Sequence, residues 1–303
     1  MQRPAKPFTP VRFRLQPPYI MKIGIVGYGF VGKALCNGLK ENVDRIKIDP
    51  KLNTDIRDLE KFRPEIVFIC LPTPMNDDGT QDLDIVNEVI QKINNFEGDL
   101  TIVLKSTILP KYVKDISKVN KNIVINPEFL REKFAYDDFI NSEIIVFGGD
   151  KEICKKMSLF YKNYTKCIQK EHIITDAVSA SLVKYTINSF LALKVVFFNE
   201  IKSVFDNLDS ENNWSDFINA ISKDKRIGSS HMDVPGPDGR YGFGGPCFPK
   251  DVRALIEYSK EIGNELSLLK KANNINNNIR AQYNDLTARE IEQNINYSVE
   301  KEE

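Results

Sequence analysis

The sequence predicts an α/β chain: a doubly wound parallel sheet first, then an all-α domain built on one long central helix. Three observations predict it. Short apolar runs rich in β-branched residues alternate with amphipathic segments from residue 21 to about 167. A glycine-rich turn at 27–32 follows the first of those runs. Beyond residue 176 the alternation stops, and residues 177–208 carry about thirty residues of helical pattern without glycine or proline.

The first element is a tail. Residues 1–20 hold five prolines, four basic residues and no acid, with no apolar core, which argues against a secretory signal. Met21 opens the first strand and reads as the functional start. Strands are expected at 22–26, 45–49, 65–71, 100–106, 122–126 and 142–148, near-continuously apolar as strands covered on both faces should be. Helices are expected between them at 30–41, 83–95, 110–117 and 151–163. The 177–208 helix is longer than usual for a globular protein and reads as a spine. Further helices are expected at 214–222, 249–262 and 265–293. Between them lies a long loop dense in glycine and proline, 228–251, of a kind that is usually functional. The domains are therefore expected at 21–175 and 176–293, with polar tails at 1–20 and 294–303.

Forty-two basic and forty-two acidic residues cancel, which argues against a dedicated nucleic-acid binder. No apolar run reads as long enough for a membrane span, and a cytoplasmic location is expected. Five cysteines at scattered spacing make a poor disulfide framework and show no zinc spacing. Reduced, buried thiols account for four of them, Cys36, Cys70, Cys154 and Cys167.

The turn Gly27-Tyr28-Gly29-Phe30-Val31-Gly32 follows a strand and opens a helix, the context of a Rossmann-type dinucleotide site. Its glycines allow a tight turn and close approach of a diphosphate to the helix N-terminus. Asp49, 22 residues after Gly27 at the end of the second strand, would accept hydrogen bonds from ribose hydroxyls and repel a 2′-phosphate. NAD is therefore expected over NADP. Lys47 and Lys51 beside Asp49 are the argument for NADP, and a Rossmann-type domain that binds no dinucleotide is the plainer alternative.

The fifth cysteine, Cys247, sits in GFGGPCFPKD (242–251). Pro249 suits the first turn of a following helix. Cys247 would then lie just before a helix N-terminus, where dipole and free amides lower a thiol pKa. Asp251, about one turn on, can share that face. A small buried hydrophobe is the plain reading of a lone cysteine. The crowding glycines weaken it, because they would let a substrate approach.

With these motifs the chain resembles the UDP-glucose/GDP-mannose dehydrogenase family. The resemblance runs from Met21 to about residue 282. It rests on GYGFVG, LPTPMNDDGTQDLDIV (71–86), KST (105–107), NPEFLRE (126–132), KYTINSFLALKVVFFNEI (184–201) and GFGGPCFPKD, in that order. It implies a nucleotide-sugar 6-dehydrogenase, with UDP-glucose to UDP-glucuronate foremost. It also implies two reduced NAD per sugar, and a homodimer through the helical domain. By the same resemblance Cys247 is the nucleophile that carries a thiohemiacetal and then a thioester. Lys184 and Asn188, four apart on one helix face, would stabilise and position the reacting oxygen; a solvated face is the bland reading of Lys184. Glu132 resembles a water-activating base, Glu128 its support, Thr107 a contact of the water network, and Asp251 the acid that assists Lys184. Surface carboxylates are the alternative for the two glutamates. Pro72, Thr73 and Thr107 join Gly27, Gly29, Phe30, Val31, Gly32 and Asp49 as expected cofactor contacts. The backbone amides around Phe129, Leu130 and Arg131, with Arg226, His231, Phe243 and Gly244, are the expected substrate contacts. Arg226 would reach a neighbouring subunit, and His231 could equally be a solvent-exposed loop residue. No metal is implied.

Typical members of that family continue for a further domain that holds much of the nucleotide, whereas this sequence ends at Glu303, and its 228–251 loop carries an inserted PGPDGR. Two other functions compete on the same residues. One is a two-electron NAD-dependent dehydrogenase, for which a thiol has no use. The other is a nucleotide-sugar binding protein with weakened activity.

Overall fold

The computed structural model describes residues 20–283 and 285–298; the expected tail at 1–20 lies, apart from Ile20, outside them. The first half alternates as expected: β1 (Met21–Val26), α1 (Phe30–Gly38), β2 (Val43–Ile48), α2 (Ile56–Phe62), β3 (Ile66–Ile69), α3 (Asp84–Asn94), β4 (Thr101–Leu104) and α4 (Pro110–Val119). It continues with β5 (Ile123–Ile125), α5 (Ala135–Ile140), β6 (Val146–Gly149), α6 (Lys151–Tyr164) and β7 (Ile173–Thr175). The strands form one seven-stranded sheet in the order β2-β1-β3-β4-β5-β6-β7. Strand order reverses between β1 and β3, which opens a crevice at their carboxyl ends.

Alternate residues feed two cores, one on each face of the sheet. Val67 and Ile69 face α2, α3 and α4, whereas Ile66 and Phe68 face α1, α5 and α6. α2, α5 and β7 were not expected. α2 is short and only Leu59 on it is buried, so it carries little periodicity, although Asp55 and Asp58 form a capping box at its start. The expectation of an all-parallel sheet needs one correction, because β5 and β6 pair antiparallel. The chain between them does not cross the sheet: α5 packs on α1, and the chain re-enters from the end where β5 left.

The second half is α7 (Ala177–Asp206), α8 (Trp214–Ser222), α9 (Phe248–Glu261), α10 (Ser267–Arg280) and α11 (Ala288–Glu292). α7 spans 30 residues, about 45 Å at 1.5 Å per residue. Ala177 and Ala180 at its start belong to the core of the sheet, and Tyr185, Ala192 and Val196 to the core it forms with α9 and α10. It is thus one rigid rod shared by both halves, and it carries side chains from the sheet to the helical layer. On length and composition alone α7 could cross a membrane, contrary to the reading of the sequence. Half of its most apolar window, however, is buried inside the protein.

The C-terminal region also differs from expectation. The helix expected at 265–293 stops at Arg280, and a new one starts at Ala288, capped by Thr287, whose hydroxyl forms a capping box with Glu290. Residues 294–298, expected as tail, are packed. Ile295 is buried, Asn294 Nδ2 donates to Met75 O at 2.9 Å, and Asn277 Nδ2 donates to Ser298 O at 2.8 Å. Residues 299–303 lie outside the described residues. A docked segment makes a measurable demand on stability. Ile295→Ala is expected to lower the unfolding free energy in urea by about 2 kcal/mol or more, as for a core isoleucine; a fraying tail would show no change.

Candidate active site

The cofactor end is built first by β1. Gly27 leaves the strand at φ +88°, and a Cβ there would lie 2.6 Å from the Cys70 carbonyl oxygen, so only glycine fits between β1 and β3. A Cβ on Gly32 would lie 2.1 Å from Gly27 O, so α1 can press against the turn. Gly29 caps α1 without a side-chain bond, and nothing lies within 4 Å of its Cβ direction. The space over the turn is therefore open, with free helix amides facing it and no acid in the first turn. Asp49 sits beside it: Oδ2 accepts from Tyr28 N at 2.7 Å and Oδ1 from Lys51 N at 2.9 Å. Each oxygen keeps a lone pair for a ribose hydroxyl. Lys47 lies over the Tyr28 ring at 4.9 Å. These residues fit a dinucleotide whose adenosine ribose meets Asp49 and whose diphosphate meets Gly29, Phe30 and Val31.

Thr73, which follows Pro72 after β3, donates to Thr107 O at 3.0 Å, and Gln81 Nε2 donates to the same oxygen at 2.6 Å. Gln81 Oε1 accepts from Leu109 N at 3.0 Å, and its amide also reaches the Tyr185 hydroxyl on α7 at 3.2 Å. Gln81 therefore locks the loop that bears Thr107 onto α7. The reading of the sequence assigned it no role.

Cys247 is the N-cap residue of α9, as expected, and Asp251 N donates to Cys247 O at 3.0 Å to close the first turn. Asp251 is 1% exposed. Its Oδ2 accepts from Asn188 Nδ2 and its Oδ1 from Lys250 Nζ, each at 2.6 Å. Lys184 and Asn188 lie one turn apart on the inner face of α7, both buried, so the solvated reading of Lys184 fails. The Lys184 ammonium lies 5.3 Å from the centre of the Phe129 ring.

The thiol does not have the depressed pKa expected from a helix N-terminus. Burial pushes it up, and the Asp251 carboxylate adds to the rise. Lys184 and then Lys250 pull it down, and Glu132 pushes it up again. Desolvation and the two carboxylates outweigh the two ammonium groups, so the resting sulfur is a thiol.

The two glutamates diverge. The chain from 126 to 131 is not helical, so a spacing of four does not bring them to one face. Glu128 turns toward the sheet and pairs with the buried Lys105 at 2.8 Å. Glu132, half-exposed, pairs with Arg289 at 3.0 Å, and that guanidinium lies 5.8 Å from the Phe30 ring at the glycine turn.

The expected substrate contacts separate as well. Phe129 borders the site through Lys184, and Leu130 packs against the sheet. The Arg131 amide donates to Asp138 Oδ2 at 2.8 Å, and its exposed guanidinium pairs with the same carboxylate. Arg226 pairs with Asp224 on the surface. His231 is half-buried at φ +62°, its ring 5.4 Å from Phe248, so it is not a solvent-exposed loop residue. Burial and then the charges of Lys194 and Arg131 lower its pKa, which keeps the ring neutral. The Phe243 side chain is a correction: it is buried in the core of α7, α9 and α10 and is not free for a ligand. Gly244 faces the Arg280 guanidinium, 2.6 Å from where its Cβ would stand.

The loop before Cys247 is pinned by side chains that were not expected. Asn199 Oδ1 accepts from Gly242 N at 2.9 Å, and Asn276 Oδ1 from Phe243 N at 2.6 Å. Arg280 donates to Gly242 O at 2.7 Å, and Glu290 Oε1 accepts from Gly245 N at 3.0 Å. Of these, only Glu290 left a local trace, the T-x-x-E spacing of a capping box at 287–290.

A dinucleotide turn at the switch point of a doubly wound sheet, with a thiol, a lysine and a carboxylate converging beyond it, defines the class of NAD-binding oxidoreductases. Comparison narrows this. Residues 37–165 match the NAD-binding domain of the UDP-glucose/GDP-mannose dehydrogenase family, and residues 178–278 match its central domain. The chain belongs to that family. It is 35% identical over 211 residues to the UDP-glucose 6-dehydrogenase of Rickettsia felis, covering 67% of this chain and 45% of that protein. It is 30% identical over 266 residues to UDP-glucose 6-dehydrogenase YwqF of Bacillus subtilis, covering 82% and 57%. The chain thus spans about half the length of the curated relatives it matches. A UDP-glucose dehydrogenase structure from Pyrobaculum islandicum superposes with a TM-score of 0.68 at 25% identity, covering 89% of this chain and 70% of that one.

The thiol's surroundings set its reactivity. Alkylation of Cys247 by iodoacetamide should reach half its maximal rate at a higher pH than for an unburied cysteine. Lys184→Met should move that midpoint further up, because a cation that lowers the pKa is lost. A midpoint lower than that of an unburied cysteine would contradict the charge arrangement.

Proposed function

We propose that this protein is a nucleotide-sugar 6-dehydrogenase that oxidises a sugar C6 alcohol to a carboxylate in two stages, with UDP-glucose to UDP-glucuronate as the foremost substrate pair. The observation that carries this reading is the placement of Cys247 at the start of α9, one turn before the buried Asp251 that Asn188 of α7 holds at 2.6 Å, with Lys184 buried one turn from Asn188. A simple two-electron alcohol dehydrogenase has no use for a buried thiol in such a setting. NAD, bound on the glycine turn, supplies the hydride acceptor for both oxidations.

Within this proposal each of these side chains has its own role. The Lys184 ammonium stabilises negative charge on the C6 oxygen, and Asn188 holds Asp251 so that the carboxylate is fixed beside the sulfur. Once C6 is an aldehyde, the Cys247 sulfur adds to it. A C–S bond forms, the carbonyl oxygen takes up a proton, and the product is a thiohemiacetal. Because the resting group is a thiol, its proton must leave as the bond forms, and Asp251 is the nearest fixed carboxylate. Removal of the second hydride and the hydroxyl proton leaves a thioester. Water then adds to the acyl carbon, the C–S bond breaks, the acid departs and the sulfur regains its proton. Glu132 is the carboxylate suited to activate that water. It is half-exposed, and its partner Arg289 is also half-exposed, so the pair can open cheaply.

Stoichiometry is the test. Incubation with UDP-glucose, UDP-N-acetyl sugars or GDP-mannose should yield two NADH per sugar acid. Cys247→Ser should lose roughly a thousandfold or more in kcat with NAD binding retained. One NADH per sugar with aldehyde product would identify the two-electron reading. NAD binding without turnover of any of these sugars would identify a binding protein.

A homodimer is proposed through the outer face of α7. Leu182, Phe190, Phe197 and Val204 repeat at seven or eight residues, hence on one stripe; Phe190 is 62% and Phe197 55% exposed. The surface position of Arg226 is consistent with a contact to a neighbouring subunit. Light scattering should give a dimer mass for the parent protein and a monomer mass for Phe190→Glu/Phe197→Glu; a monomeric parent would remove this part of the proposal.

A further inference from the structure

Directly after β4, Lys105 buries an ammonium group at the carboxyl end of the sheet, with its side chain 2% exposed. It donates to Asn126 Oδ1 at 2.9 Å and pairs with Glu128 Oε2 at 2.8 Å. The Tyr161 hydroxyl donates to the same Asn126 oxygen at 2.6 Å, and Asn126 Nδ2 donates to Val146 O at 2.8 Å. The cation is thus seated by α6, by the residue that follows β5, and by β6. Burial by itself would strip the proton from such a lysine. The Glu128 carboxylate outweighs that effect and holds the ammonium above its usual range.

Glu128 is engaged on both oxygens, since Oε1 accepts from Phe129 N at 2.9 Å. The Phe129 ring lies under the Lys184 ammonium, and Lys184 is the cation that most lowers the proton affinity of Cys247. A path of direct contacts therefore runs from Lys105 through Glu128 and Phe129 to Lys184, whose charge acts on the sulfur. Glu128 is buried on the sheet side in its pair with Lys105, whereas Glu132 is half-exposed in its pair with Arg289.

We propose that Lys105 is a positioning residue of the thiol site. It holds Glu128 as a fixed anion turned away from the sulfur, and so seats the 127–131 loop and, through Phe129, the Lys184 ammonium. Glu128 is then a strut and not a proton carrier, because protonating it would leave Lys105 as an unpaired buried cation. The inference deepens the thiol reading above and rests on it.

The test compares Lys105→Met, Glu128→Gln and the double variant. Each single change strands one buried charge, whereas the double change strands none. The readout is the pH midpoint of Cys247 alkylation by iodoacetamide, followed by mass analysis of the peptide bearing Cys247. It needs no turnover, so it stands even if no sugar is oxidised. Each single variant is expected to shift the midpoint upward as Lys184 loses its seat, and the double variant to return it close to the parent value. In parallel, NADH formation should fall roughly 10- to 100-fold in the single variants and recover to within about tenfold of the parent in the double. Unshifted midpoints in folded single variants would overturn the proposal, as would a double variant that stays shifted. A double variant with the parent midpoint but no more turnover than Glu128→Gln would make Glu128 a proton carrier, which also overturns it. If neither single variant folds, the double variant decides alone by the same two measurements.

Discussion

A carboxylate that water hardly reaches, that of Asp251, ties α7 to α9, and the geometry of the thiol site follows from it. Asn188 comes to it from the spine helix and Lys250 from the residue before it, so both oxygens are taken. A buried anion held in this way resists displacement, because removing one partner leaves a charge without compensation, at about 3–5 kcal/mol. The arrangement has a chemical consequence. The same negative charge that fixes α9 against α7 raises the proton affinity of Cys247, so the sulfur rests protonated.

Tying two helices together would not suffice, because Cys247 is reached through a loop with four glycines between 239 and 245 and no regular structure. The main chain of that loop is held residue by residue by Asn199, Asn276, Arg280 and Glu290. These come from three different helices, and the last sits on the segment at 287–298 that also reaches Met75 in the first half. The flexible sequence is thereby converted into a rigid one without side chains of its own, and the sulfur inherits the precision of the helical frame.

Charges around the site fall into two kinds with different duties. Lys105–Glu128 and Lys250–Asp251 are buried, and moving either would expose an unpaired charge to low dielectric. Glu132–Arg289 is half in water, where such a pair is worth about 1 kcal/mol or less. The buried pairs set positions. The open pair, at the mouth of the glycine turn and within electrostatic reach of the sulfur, is free to exchange partners when a ligand arrives.

Much was legible from the chain alone wherever chemistry is local. The alternation of apolar runs, the glycine turn with Asp49 one strand later, the unbroken spine at 177–208 and the thiol ahead of Pro249 each depend on neighbours within a few residues, and each stands in the fold. The short α2, α5 and β7 escaped because three to seven residues carry too little periodicity, and the antiparallel β6 because direction is set by how the chain returns and not by composition. The roles of Gln81, Lys105, Arg280 and Glu290 were invisible for the same reason: each acts on a residue between 21 and 104 positions away in sequence. By itself the sequence determined that a dinucleotide turn and a cysteine-bearing helix start would both exist. Only the tertiary structure decided that burial would leave that cysteine protonated, and that two glutamates four apart would face opposite ways, because desolvation and long-range ion pairing are properties of the packed molecule.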